Sequence, residues 1–163
     1  MTRRLIVMRH AESSWDSSMG SDHERTLNER GRKDAPWAGA ALVQKGWIPE
    51  LVLSSDAQRT RETFAGLIES FPVKVEARFL SSFYLAGPRA AEEEVVHLEG
   101  AVSCVLLLGH NPGWESLVEA LSGEKVVMQP ATAALLTLEL DDWQGAMQAG
   151  KWKLEDVICP RET

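Results

Sequence analysis

Two uninterrupted apolar runs constrain the fold of this chain more than any other feature: Leu5-Ile6-Val7-Met8 near the start and Cys104-Val105-Leu106-Leu107-Leu108 much further on. A strand with one wet face alternates polar and apolar residues. A run with no polar member reads as a strand buried on both faces, as in a parallel sheet covered by helices. Each run ends at a histidine, in Arg9-His10 and in Gly109-His110-Asn111-Pro112-Gly113. Open α/β sheets bind ligands beyond the carboxyl ends of their strands, so two imidazoles and a guanidinium are delivered to one kind of edge.

The remaining pattern alternates. Strands are expected at 4–9, 51–54, 73–77 and 104–108, and two late strands at 133–140 and 152–158, separated by a turn with Gly145 and Gly150, can pair antiparallel. Helical periods fall at 28–45, where Asn28 caps, Ala35, Ala38 and Leu42 share a face and Gly46 stops the helix, and at 57–69, with Ala57, Phe64, Leu67, Ile68 and Phe71 inward. A loop and then a helix fill 78–102. A further helix starts at Pro112 behind an Asn111 cap, with Trp114, Leu117, Val118 and Leu121 at i, i+3, i+4, i+7. Strands alternating with helices predict a three-layer α/β/α sandwich, its sheet mainly parallel with helices on both faces. No repeat or linker divides residues 1–163, which read as a single domain.

Composition narrows the partners. A formal net charge of −7 argues against nucleic acid and anionic membrane. No stretch approaches the length of a transmembrane helix, and the apolar run behind Arg3 and Arg4 is too short for a signal peptide, so a cytoplasmic location is expected. Cys104 and Cys159 both fall in expected strands and lack metal-type spacing, reading as buried thiols of a reducing compartment.

Beyond the strand ends the gathered groups suit an anion. Guanidinium binds phosphate oxygens in pairs. The helix starting at Pro112 adds unpaired N–H groups and the positive end of its dipole. An imidazole facing a phosphate so held can attack phosphorus and form a phosphohistidine, while positive groups around the equatorial oxygens stabilise the transition state.

Three segments then resemble the signatures of the histidine phosphatase superfamily, also called phosphoglycerate mutase-like: Arg9-His10-Ala11-Glu12, Ser54-Ser55-Asp56-Ala57-Gln58-Arg59-Thr60-Arg61-Glu62-Thr63, and Gly109-His110-Asn111-Pro112-Gly113. The stretch Arg9 to Asp16, with Thr26-Leu27-Asn28-Glu29-Arg30-Gly31, is most similar to its SixA-type phosphohistidine phosphatase branch. The resemblance implies the phosphoglycerate mutase-like fold with a minimal cap, and His10 as the phosphorylated nucleophile. It also implies that Arg9, Arg59 and His110 hold the phosphoryl oxygens, with Asn111 as a further donor near the phosphate; Ser13 and Ser14 in the following loop are placed either to hydrogen-bond phosphate, Ser14 foremost, or to shape the loop. It implies no metal and no cofactor.

Two departures stand out. Ala11 replaces the usual glycine. The general acid that phosphate-ester members carry between the third and fourth strands is missing, since Ser82-Phe83-Tyr84-Leu85-Ala86-Gly87-Pro88 contains no carboxylate before Glu92; Glu12 and Glu92 remain candidates. An alkoxide needs a positioned acid worth ~10²–10⁴-fold, whereas an imidazole can leave already protonated. Residues 78–102 are too few for a large cap, and an open pocket suits a phosphorylated protein side chain. The expected substrate is therefore phosphohistidine on a protein. The alternatives are a phosphomonoesterase for a small phosphorylated molecule and a phosphate-binding module without catalysis.

Ordinary roles compete at several positions. On a helical wheel Arg59 points away from the apolar face and reads as solvated; only its first-turn place and the motif favour it. His23, His97, Arg25 and Arg30 read as surface residues, and Glu92-Glu93-Glu94 as a solvated face. Trp37, Trp114 and Trp152 read as core, while Trp15 lies where it can line a pocket.

Overall fold

The computed structural model describes residues 1–15 and 20–160. Asp16, part of the motif stretch above, lies outside the described residues. Ten regular elements follow in order: β1 (Thr2–Arg9), α1 (Glu29–Gln44), β2 (Leu51–Ser55), α2 (Gln58–Leu67), β3 (Glu76–Leu80), α3 (Pro88–Val95), β4 (Cys104–Gly109), α4 (Gly113–Ser122), β5 (Ala133–Glu139) and β6 (Lys153–Ile158). They build one six-stranded sheet in the order β3-β2-β4-β1-β5-β6. The four strands β1 to β4 run parallel, β5 lies antiparallel to β1, and β6 antiparallel to β5.

The two apolar runs are the central pair, β1 and β4, and both faces are covered. Leu5, Val7, Val105 and Leu107 pack with Trp114, Leu117 and Val118 of α4 and with Ala91 and Val95 of α3. Ile6, Met8, Leu106 and Leu108 pack with Ala35, Ala38 and Leu42 of α1 and Leu67 of α2. The three-layer sandwich is thus present. Burial on two sides explains why these strands tolerate no polar residue.

α1 begins where expected, with Asn28 Oδ1 accepting from Gly31 N at 2.9 Å, and the chain leaves it through Gly46 at φ +75°. Five expectations need correction. The third strand is Glu76–Leu80, not 73–77, because it pairs with β2 in the register Leu51↔Glu76 to Ser55↔Leu80, which leaves Val73 outside the ladder and 63% exposed. On α2 the buried residues are Arg59, Thr60, Thr63, Gly66 and Leu67; of the expected inner side Ala57 and Leu67 are buried and Phe64 and Phe71 pack partly buried on the core, but Ile68 is 39% exposed, and polar residues share the buried side. Asn111 does not cap α4: that position belongs to Pro112, and the Asn111 amide donates instead to Met128 O at 2.9 Å. Trp37 is exposed on the outer side of α1, and Trp143 and Trp47 join Trp114 and Trp152 in burial. Cys159 lies just beyond β6 and is only half-buried, whereas the Cys104 thiol is buried and pushed up to about 12 by desolvation. Among the described residues no helix is long and apolar enough to cross a membrane.

Candidate active site

The register of β1 against β4 builds the centre. Arg4 pairs with Cys104 and Arg9 with Gly109, so the next residues, His10 and His110, emerge side by side at the carboxyl edge. His10 N donates to Gly109 O at 3.0 Å, and the two ring centroids are 5.3 Å apart. β2 ends one strand over. Its Ser55 Oγ lies 2.8 Å from His110 Nε2 and accepts from Ala57 N at 3.2 Å. Gly109 has to be glycine here, because a Cβ would lie 2.5 Å from the Trp114 ring.

Arg59 enters from the first turn of α2 and is 2% exposed. Its guanidinium spans both imidazoles, with Nε 3.4 Å from His10 Nε2 and Nη2 3.4 Å from His110 Nδ1. Arg9 lines the same cavity and donates from Nη1 to Met128 O at 3.0 Å. Three of the four principal predicted residues therefore meet around one point, and the fourth borders it. The cavity holds about 300 Å³.

Protonation follows from the contacts. His10 Nδ1 lies 2.7 Å from Ala11 O. A carbonyl only accepts, so Nδ1 carries the proton and Nε2 keeps its lone pair, facing Arg59. Burial lowers the His10 pKa from 6.5 to about 3, with His110, Arg59 and Arg9 adding to the effect against the opposing Ala11 bond. His110 is likewise lowered to about 3, chiefly by burial and then by Arg59. Both rings are neutral at physiological pH, and one of them presents a nucleophilic nitrogen beside a fixed cation.

The residues expected to support this centre divide. Asn111 lines the cavity, with one amide proton given to Met128 O. Ser13 rather than Ser14 faces the cavity: Ser14 N donates to Thr26 O, and its carbonyl accepts from Arg25. Glu12 borders the cavity with Oε1 bonded to the Asn28 amide, while Glu92 is exposed on α3 and stays outside. Trp15 stands at the rim, 80% exposed, with the Arg25 guanidinium 3.6 Å from its ring centroid. Arg25 is buried, not a surface charge, and donates to Ser13 Oγ at 2.8 Å; Arg30 is exposed and pairs loosely with Asp34.

Sequence reasoning missed two residues. Asp22, in a short 3₁₀ turn of the loop after β1, bonds Arg59 twice: its carbonyl accepts from Nη1 at 2.8 Å and Oδ2 from Nη2 at 3.1 Å. Tyr84, beyond β3, donates its hydroxyl to the same Asp22 Oδ2. Its ring stands edge-on to His110, with centroids 5.5 Å apart, and to His23 at 4.8 Å. The Tyr84 bond, then Arg25 and Arg59, hold Asp22 at about 2, well ionised, while burial and Asp22 push the Tyr84 hydroxyl upward. His23 is half-buried and bonds Asp56 at 2.9 Å. No pattern marks Asp22, one acidic residue in a polar loop. Among the described residues no group of three His, Cys, Asp or Glu is placed to hold a metal ion.

Comparison with known proteins bears directly on this geometry. Residues 5–80 match the profile of the histidine phosphatase superfamily, branch 1. An uncharacterised chloroplastic protein of Arabidopsis thaliana is 36% identical, over 98% of this chain and 79% of its own. A candidate phosphohistidine phosphatase SixA from Nakamurella multipartitia superposes with a TM-score of 0.85 at 26% identity, covering 99% and 98% of the two chains. A candidate SixA from Agrobacterium tumefaciens gives 0.83 at 25%, covering 97% and 98%.

Proposed function

The chain belongs to the histidine phosphatase superfamily and is a phosphatase, and on that footing we propose that it removes phosphate from phosphohistidine carried on another protein, using His10 as nucleophile. The observation that carries this reading is the reach of one guanidinium, Arg59, to both His10 Nε2 and His110 Nδ1. A phosphoryl group placed against Arg59 would lie in line with the free lone pair of Nε2. Attack would transfer it to His10, and water would release inorganic phosphate in a second step. The Ala11 carbonyl accepts Nδ1–H throughout, so positive charge developing on the ring is met by a fixed dipole. Arg9, Arg59 and His110 would surround the equatorial oxygens, where such groups contribute most; Asn111 has a second amide proton to offer.

The leaving group is argued from acidity. An alkoxide must be protonated as it departs. Asp22, held ionised near 2, has no proton to give at neutral pH, Glu92 lies outside the cavity, and Glu12 at its border is engaged through Oε1 by the Asn28 amide, the cap of α1. A protonated imidazole needs no such donor. The likeness to the SixA structures supports the same substrate class, and the short cover, a 3₁₀ turn (Ser81–Phe83) followed by α3, suits a side chain presented by a macromolecule.

Purified enzyme should turn over a phosphohistidine-bearing protein with a higher kcat/KM than sugar phosphates, nucleotides or p-nitrophenyl phosphate. Preference for a small metabolite would overturn the substrate assignment. Rapid quench at alkaline pH should trap phosphate on His10 and not in His10→Ala; label elsewhere would overturn the nucleophile.

A further inference from the structure

We propose that Asp22 is a catalytic and specificity-determining residue: its carboxylate accepts the N–H of the phosphorylated imidazole and keeps that ring protonated while the P–N bond breaks. This deepens the phosphohistidine reading above and rests on it.

The placement comes from exposure and connectivity. His10 and Arg59 form the floor of the cavity, at 7% and 2% exposure, whereas the Asp22 side chain is 44% exposed and lines the same cavity nearer its mouth. In-line displacement puts the leaving nitrogen on the side of phosphorus away from His10 Nε2, which is the mouth side. Asp22 Oδ2 accepts from Nη2 of the guanidinium whose Nε approaches His10, so one planar cation links the nucleophile to the carboxylate along the wall of the cavity. Tyr84 and Arg25 fix the carboxylate from two further directions, and the Oδ1–Arg25 bond is 3.0 Å.

The chemistry explains why a carboxylate belongs there. N-phosphorylated imidazole with an unprotonated second nitrogen would have to leave as an imidazolate, a strongly basic anion. With the second nitrogen protonated, the ring departs neutral. The His10 Nε2 lone pair forms the new N–P bond, the old P–N electrons return to the substrate nitrogen, and the proton stays on the remote nitrogen, donated to Asp22. His10 becomes the phosphorylated, protonated ring, with Nδ1–H still on Ala11 O. Charge and protons balance without another reactant. The same carboxylate gives an ester oxygen no proton, so it favours P–N over P–O cleavage. Asp22 thus takes the place of the absent acid with the opposite demand on its protonation.

The charged and titratable groups facing Asp22 are Tyr84, Arg25, Arg59, His110 and His23. The Asp22→Asn variant keeps shape and loses charge. Its ratio of kcat/KM for a phosphohistidine-bearing protein over that for p-nitrophenyl phosphate should fall about ten- to a hundred-fold at pH 8. The deficit should shrink at pH 5.5, where solvent protonates a ring of ordinary pKa about 6.5. If Asp22 merely positions Arg59, both substrates lose equally, the ratio stays level and the proposal falls. A deficit identical at the two pH values overturns it as well. A wild-type enzyme inert to phosphohistidine would instead refute the functional reading itself, so the two failures are distinct.

Discussion

Arg59 shows how one side chain can be misread from periodicity and still be central. It is a buried cation whose fork reaches two imidazoles and the Asp22 carboxylate together. Lysine has the charge but not the planar fork. Arg59→Lys should therefore lower kcat/KM about 10²- to 10³-fold, the range for losing one donor to a transition-state oxyanion. Circular dichroism should show the fold retained, and a loss of less than about fivefold would remove Arg59 from the centre. The neutral state of His10 is a second expectation at this scale: in the ligand-free protein, nitrogen NMR should report Nδ1–H and unprotonated Nε2 at pH 5.5, well below the ordinary histidine value and above its pKa of about 3. A ring protonated at that pH would contradict the burial argument.

Elements deliver those side chains through hydrogen bonds that no helical wheel displays. Thr63 on α2 accepts from Ala11 N at 3.0 Å and donates to Arg59 O at 2.7 Å, linking the end of β1 to the turn that carries Arg59. Thr63→Val fills the space but orphans a buried N–H. It should cost about 1–3 kcal/mol in urea unfolding and lower kcat more than KM, while Thr63→Ser should recover most of both. Such ties also mark where reading from sequence stops. The buried strands β1, β2 and β4, the Asn28 cap and the α4 core stripe follow from hydrophobic pattern and cap chemistry, and the motif positions His10, His110 and Arg59 from residue type and place. β3 departs from its expected range because an edge strand takes its bounds from its partner's register. The inner side of α2 is legible only in part, because Arg59, Thr60 and Thr63 are buried there beside Leu67 and no apolar period marks them. Asp22 and Tyr84 come from separate loops and meet only through tertiary folding.

For the whole molecule, the site imposes a cost on acid stability. His10 and His110 take up protons near pH 6.5 in the unfolded chain but only near pH 3 in the fold. Between those values the unfolded state holds more protons, so stability is full above about pH 6.5 and is lost as pH falls toward 3. Urea midpoints should decline between pH 7 and 4, a window above the range in which Asp22 titrates, and a double His10→Asn, His110→Asn variant should show a flatter decline. An equal slope would assign the acid sensitivity elsewhere.

The rung-by-rung pairing of Arg4 with Cys104 through Arg9 with Gly109 carries an evolutionary consequence. Either strand can accept a change of side chain, but inserting or deleting one residue would move an imidazole by about 3.3 Å and turn it to the opposite face. Length, more than identity, is what these two segments have to preserve through descent, and variation in chain length is to be sought in the connecting loops.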